Sequence, residues 1–317
     1  MKYLITGAAG FIGYHLSSKL LSNNNSVIGI DNLNDYYSKD LKKDRINLLN
    51  TYDNFIFKKV DICDKKSLSS VFKEFAPKKV VNLAAQAGVR YSLINPQAYM
   101  ESNMVGFLNL IESCKENNVE GLVYASSSSV YGENKTKPFS VNDRVNKPIS
   151  LYGATKRANE LIAYSYSKLY GLNTTGLRFF TVYGPWYRPD MAINIFADNI
   201  SKKKPIEVYN HGEMKRDFTY IDDIIDGTIS ALKQNYSYEI FNLGNNKCEN
   251  LMDVIALIEK GLNKKALINF HPIQPGDVKE TFADINYSKE KLNFQPSTNI
   301  DKGIALFIDW FKEYYNV

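Results

Sequence analysis

The chain has few of the residues that build metal centres and disulfide frameworks. Among 317 residues there are three cysteines, Cys63, Cys114 and Cys248, and three histidines, His15, His211 and His271. The cysteines are far apart and odd in number, no C-x-x-C occurs, and the histidines lack metal-ligand spacing. A zinc ribbon or disulfide scaffold is therefore not expected, and no metal site is assigned. Sparse free thiols suit a reducing cytoplasm. No apolar run approaches the ~20 residues a membrane-spanning helix needs, so no membrane partner is expected. The first residues run straight into a strand-like KYLIT, so a secretory leader is not expected. Basic clusters are also missing. The net charge is +5 and the sequence pI about 8.8, but the longest lysine run is Lys202-Lys203-Lys204. That balance fits a small anionic substrate and gives no reason to expect nucleic acid. There is no Ser- or Gly-rich linker, internal repeat or low-complexity tract.

What the chain does contain is an alternation of two periodicities. KYLIT (2–6), SVIGI (26–30), NFIFKKV (54–60), KKVVNLA (78–84), GLVYAS (121–126) and NTTGLRF (173–179) are short apolar runs that read as buried strands. Helical spacing marks the segments between them, at 11–23, 39–49, 65–75, 97–117 and 152–170. This order predicts an α/β fold, a doubly wound parallel sheet of the Rossmann type with helices on both faces. After residue 180 Pro, Gly and Tyr become frequent. Helices are expected at 191–203, 222–233, 250–260 and 301–315, with short strands near 206–209 and 239–243. The expected organisation is a dinucleotide-binding domain over 1–180 and a smaller, interleaved C-terminal α/β lobe over 181–317.

The first strand ends in TGAAGFIG, which places Gly7, Gly10 and Gly13 at the start of a helix. In that context Gly7 makes a tight turn, Gly10 lets backbone approach a pyrophosphate, and Gly13 permits close helix–sheet contact. The helix N-terminus supplies free N–H groups and the positive end of its dipole. Asp31 ends the next strand, where a carboxylate accepts hydrogen bonds from a ribose diol and repels a 2′-phosphate. NAD is therefore expected in preference to NADP. Asp61 follows the third strand and is placed near the adenine. Ala84 and Ala85, after the fourth, leave room for the cofactor.

The fifth strand runs into ASSSSVYG, and ISLYGATKRANE opens the next long helix with Tyr152 and Lys156 four residues apart. The chain has 22 tyrosines, and about two Tyr-x-x-x-Lys matches are expected by chance. Three others occur, Tyr131/Lys135, Tyr164/Lys168 and Tyr287/Lys291. Position separates them. Only Tyr152 and Lys156 share a helical face beside the C-terminal end of a central strand, where ligands bind in such sheets.

GAAGFIG, Asp31, ASSSSVYG and Tyr152-x-x-x-Lys156 together resemble the extended short-chain dehydrogenase/reductase family, over essentially the whole chain. DNLNDYY (31–37), NLAAQAGVRYS (82–92), RFFTVYGPWYRPDMA (178–192), YNHGEMKRDFTYIDDI (209–224) and QPGDV (274–278) resemble its UDP-glucuronate 4-epimerase branch of NAD-dependent isomerases, which feeds surface-polysaccharide synthesis. The resemblance implies that Ser127, Tyr152 and Lys156 act catalytically with bound NAD. Tyr152 would be the base, Lys156 would hold the nicotinamide ribose, and Ser127 would bond the reacting sugar oxygen. A nearby ammonium and the nicotinamide charge would favour the phenolate. Besides these residues, it implies a cofactor seat of Gly7, Gly10, Phe11, Ile12, Gly13, Asp31, Asn32, Asp61, Ile62, Leu83, Ala84, Ala85 and Asn103.

On the substrate side the resemblance assigns Arg216 to the diphosphate and Arg188 and Arg90 to the nucleotide-sugar pocket. Gln274 stands three residues before Asp277, where related glucose epimerases carry Arg. Ser128 and Ser129 occupy places where dehydratases and decarboxylases of the family carry acids. Neutral hydroxyls there, with Thr181, can donate to a C6 carboxylate that an Asp or Glu would repel. A UDP-hexuronic acid is thus the expected substrate, and C4 would be inverted through a 4-keto sugar while NAD is regenerated. The neighbouring alternative is a UDP-glucose or UDP-N-acetylglucosamine 4-epimerase. Others are a net oxidoreductase and a non-catalytic NAD-sensing protein. A homodimer through the helices at 97–117 and 152–170 is also expected.

Overall fold

A computed structural model of the chain describes residues 1–274 and 278–317. Six of the expected strands are present within a few residues of their predicted ends: β1 (Lys2–Thr6), β2 (Ser26–Asp31), β3 (Phe55–Lys59), β4 (Lys79–Asn82), β5 (Gly121–Ser127) and β6 (Thr174–Phe179). They pair in parallel in a seven-stranded sheet whose order is the strand Tyr238–Leu243, then β6, β5, β4, β1, β2 and β3. The strand expected near 239–243 therefore does not stay in the C-terminal lobe. It adds to the main sheet beside β6, with Phe241 opposite Leu177.

The alternating side-chain direction of a strand explains why these runs are apolar throughout. Leu4, Val80 and Leu122 enter one core with Leu68 and Phe72 of the helix Lys65–Phe75 and Phe107 and Leu110 of the helix Gly106–Glu116. Their neighbours Ile5, Val81 and Val123 enter the opposite core. There they join Leu16 and Leu20 of the helix Phe11–Ser22 and Ile224 and Leu232 of the helix Ile221–Gln234. Helices thus cover both faces. The chain runs outward from β1 to β3, then returns to the other side of β1 as β4. That reversal opens a crevice at the carboxyl ends of β1 and β4.

The segment expected as one helix at 97–117 is instead three joined pieces. Pro96–Tyr99 is α-helical, Met100–Val105 is π-helical, and Gly106–Glu116 is α-helical again. The smaller lobe is built from the helices Ala192–Ser201 and Leu251–Leu262 and the parallel pair Pro205–Tyr209 with Leu267–His271. A short three-stranded ribbon carries Lys215–Arg216 at its centre. The helix Ile300–Tyr315 closes the chain against Tyr187 and Trp186 through Phe307, Trp310 and Tyr314.

Candidate active site

The crevice at the chain reversal is one cleft of about 800 Å³ that runs from the glycine turn to the smaller lobe. At its base Gly7 adopts φ +70°, a left-handed conformation that suits glycine. A Cβ added to Gly13 would lie 2.1 Å from the Gly7 carbonyl oxygen, and one added to Gly7 would meet the Ala84 nitrogen at 2.8 Å. The first helix and the end of β4 therefore close on each other only because side chains are missing there. Phe11, Ile12, Asp31, Asn32, Asp61, Ile62, Leu83, Ala84 and Ala85 line the same end. A cradle this tight at a helix N-terminus, with a carboxylate at the end of β2, fits a dinucleotide.

Asp31 is buried, and both of its oxygens accept backbone N–H bonds, from Ala9 at 3.2 Å and Leu33 at 2.8 Å. Burial raises its carboxyl above the usual range, against the pull of those bonds and of Lys42 and Arg45. A carboxylate has about four lone-pair positions, so two remain for a diol. Asp61 accepts from the Asn32 amide at 2.9 Å and from the Cys63 N–H at 2.8 Å, which ties the segment after β2 to the segment after β3.

Asn103, which the resemblance gives to the cofactor seat, is held by protein bonds. It lies in the π-helical turn, buried and outside the cleft lining. Its amide nitrogen donates to the Gln86 carbonyl (3.0 Å) and to Thr155 Oγ1 (3.1 Å), and its oxygen accepts from the Gln86 N–H (2.9 Å). It ties the loop after β4 to the helix Leu151–Tyr170. Asp277 lies outside the described residues.

Ser127, Tyr152 and Lys156 meet midway along the cleft. Ser150 caps the helix Leu151–Tyr170 by accepting the Gly153 N–H at 3.0 Å, which sets Tyr152 in its first turn. Ser127 ends β5 and caps the turn Ser128–Tyr131, accepting the Ser129 N–H at 3.1 Å. Its hydroxyl also donates to Ser129 Oγ at 3.2 Å, and it stands near enough to the Tyr152 phenol to favour its ionised form. Lys156 donates to the Ala125 carbonyl at 2.8 Å, with its nitrogen 5.9 Å from the centre of the Tyr152 ring.

The electrostatics add a group to the expectation. Burial raises the Tyr152 phenol, and the groups that oppose it are the Ser127 hydroxyl and the charge of Arg188. Burial pulls the Lys156 ammonium down to about 8. Arg188 is thus a second cation that favours the phenolate, beside the Lys156 ammonium near the ring.

Ser128, Ser129, Thr181 and Arg188 line the cleft beyond the tyrosine, and Arg90 and Arg216 line its far end. Arg188 donates through Nε to Asp190 Oδ1 at 3.0 Å and through Nη2 to Asp190 Oδ2. Arg216 donates to the carbonyls of Lys215 (2.9 Å) and Lys279 (3.1 Å), which sets the root of its guanidinium on the ribbon. Arg90 lies 4.6 Å over the Tyr209 ring. Asp217, next to Arg216 in sequence, is fully buried and accepts backbone N–H bonds from Asn245, Asn246 and Ala283, so two further segments converge beside Arg216. Sequence reasoning missed Tyr36, Lys42 and Asp190, which also line the cleft. Tyr36 sits inside the DNLNDYY string, and Asp190 stands two residues after Arg188, so proximity to singled-out residues was the available signal.

Beneath the site lies a buried ion pair. Glu160, fully buried one turn after Lys156, accepts from Ser126 Oγ (2.6 Å), Arg178 Nε (2.9 Å), Arg178 Nη2 (3.0 Å) and Arg157 (2.8 Å). Arg178 also donates to the Tyr131 hydroxyl at 3.0 Å. Burial alone would raise the Glu160 carboxyl, but the Arg178 bonds and charge outweigh it and hold it low.

Comparison with known proteins agrees with this geometry. Residues 3–244 match the NAD dependent epimerase/dehydratase family. The chain is 49% identical to Protein CapI of Staphylococcus aureus, with 99% of each chain covered. It is 44% identical to UDP-glucuronate 4-epimerase 4 of Arabidopsis thaliana, over 99% of this chain and 76% of that one. Among solved structures, UDP-glucuronic acid 4-epimerase from Bacillus cereus in complex with UDP-glucuronic acid and NAD superposes with a TM-score of 0.93. The two are 36% identical, covering 99% of this chain and 100% of that one.

Proposed function

The chain belongs to the NAD dependent epimerase/dehydratase family, and from that premise we propose that it interconverts UDP-glucuronate and UDP-galacturonate by inverting C4. It is an NAD-dependent isomerase. The observation that carries this reading is a single cleft holding the glycine cradle, the Ser127, Tyr152 and Lys156 group, and a hydroxyl-lined pocket with Arg188 beyond them.

NAD, held by the glycine cradle and Asp31, would supply the hydride acceptor and donor for the sugar C4. Tyr152 takes the proton of the C4 hydroxyl and later returns it to the 4-keto oxygen. Ser127 bonds the same oxygen and holds it against the phenol. Lys156, fixed by the Ala125 carbonyl, reaches the nicotinamide ribose and keeps a positive charge below pH about 8. Both faces of the sugar must be presented in turn, so the nucleotide has to stay anchored while the sugar swings. Arg216 and Arg90 hold the diphosphate end in this reading. Ser128, Ser129 and Thr181 donate to the C6 carboxylate, and Arg188 supplies the opposing charge. Holding that carboxylate in the plane of the ring disfavours loss of CO₂ from the β-keto acid.

The protein acts as a homodimer in this reading. Val105, Leu108, Leu161, Tyr164 and Leu169 stay exposed on the two helices named for the contact. Three free cysteines favour a cytoplasmic setting. Among the described residues no helix is long and apolar enough to cross a membrane. The role in polysaccharide synthesis follows from the product, an activated hexuronic acid.

An isotope experiment tests the reaction. UDP-glucuronate deuterated at C4 is expected to give UDP-galacturonate with the label still on C4, as read by NMR. Label lost to water, or one NADH released per product, would contradict an epimerase that recycles its own hydride.

A further inference from the structure

Arg188 lines the cleft with Tyr152 and its charge favours the phenolate, so what aims its guanidinium matters to the reaction. The side chain is held by Asp190 through two bonds, at Nε and Nη2. Tyr36 stands beside the same pair: the guanidinium carbon lies 5.9 Å from the centre of its ring, and the Asp190 carboxylate is close enough to help burial push its phenol up to about 12. Tyr36 belongs to the loop that begins at Asp31 and Asn32, the residues placed at the adenosine end of the cleft.

A second tie joins the same two loops. Arg45, fully buried, donates to the Tyr37 hydroxyl (2.9 Å), to the Ala9 carbonyl in the glycine turn (2.8 Å) and to the Trp186 carbonyl (2.5 Å). Among the described residues it makes no ion pair. Trp186 itself has φ +61°, a conformation unusual for a bulky residue. Two neighbouring tyrosines of the cofactor loop thus meet the segment 186–190, Tyr36 directly and Tyr37 through Arg45.

A guanidinium offers five N–H donors in a rigid planar fork and can meet two carboxylates on two edges. Asp190 takes the Nε edge, which leaves the outer edge for another anion. We infer that Asp190 and Tyr36 are positioning residues: they hold Arg188 so that its outer edge meets the sugar C6 carboxylate, and they link that contact to the loop that seats the cofactor. This rests on the reading of Arg188 given above. Simple removal of a negative charge from the pocket would strengthen anion binding. Loss of positioning would weaken it. The two effects have opposite sign.

Holoenzyme carrying Asp190→Ala, Asp190→Asn or Tyr36→Phe is compared with the parent for UDP-glucuronate turnover and for inhibition by UDP, which lacks the carboxylate. D190A is expected to raise KM for UDP-glucuronate about tenfold, the scale of a lost charge-assisted fork contact, with the UDP inhibition constant unchanged. Asp190→Asn keeps one oxygen and should recover part of that loss. Y36F should shift KM in the same direction by about threefold, the smaller scale of a neutral hydroxyl contact. A KM that falls or stays level in D190A and Y36F overturns the inference, as does an equal loss of UDP binding. If the parent enzyme itself fails to turn over UDP-glucuronate, the function reading fails first, and separately.

Discussion

Replacing Tyr152 by Phe is expected to lower kcat by roughly a hundred- to ten-thousand-fold, the range that positioned proton transfer contributes. That corresponds to about 3–5 kcal/mol of barrier. KM should move little. The ring that packs against Tyr99 at 6.1 Å stays in place, and only the hydroxyl near Ser127 is lost. Steady-state kinetics with a saturating UDP-hexuronate checks this, with bound NAD confirmed by absorbance after denaturation. Retained turnover would mean that another group moves the proton. The phenol's environment explains why the loss is large. Burial opposes its ionisation, and Ser127 and Arg188 favour it. The residue is thus poised by a neighbouring hydroxyl and by a cation in the sugar pocket, and the cofactor's own charge adds to that when bound.

Glu160→Ala is expected to destabilise the fold by about 3–5 kcal/mol, as a severed buried pair leaves one charge uncompensated. Arg178 is almost fully buried, and its Nε and Nη2 donate to this carboxylate. Ser126 Oγ would lose its acceptor as well. The loss is a large fraction of the ~5–15 kcal/mol by which native proteins are stable. Urea unfolding followed by circular dichroism measures it. Glu160→Gln keeps the shape and one acceptor, so it should fall between the two. A shift below about 1 kcal/mol for the Ala variant, the level of an exposed pair, would contradict the burial argument. The pair matters to the site because it fastens three segments at once. Ser126 precedes Ser127, Glu160 follows Lys156 by one turn, and Arg178 precedes the cleft residues Phe179, Phe180 and Thr181.

Most of the frame was legible because strand and helix periodicities are local properties. The helices Lys39–Leu49 and Lys65–Phe75 end where the apolar spacing ends. The glycine turn was legible for a similar reason, since Gly7 and Gly13 are adjacent in sequence and in space. Other features depend on contacts that sequence spacing does not carry. A π-helical turn keeps helical composition, so Met100–Val105 reads as ordinary helix. The strand Tyr238–Leu243 lies 59 residues beyond the end of β6, and only tertiary pairing puts it in the main sheet. Glu160 and Arg178 read as charged residues 18 apart, and nothing local reveals that both are buried.

The central claim is that this cleft recognises a sugar acid and inverts its C4. The most direct test is the ratio of kcat/KM for UDP-glucuronate to that for UDP-glucose, measured on one preparation. A pocket of hydroxyls with an arginine should favour the acid by about a hundredfold or more, since a charge-assisted contact is worth about 1.5–3 kcal/mol and several converge here. A ratio near or below one would contradict it and return the protein to the neutral-sugar epimerases.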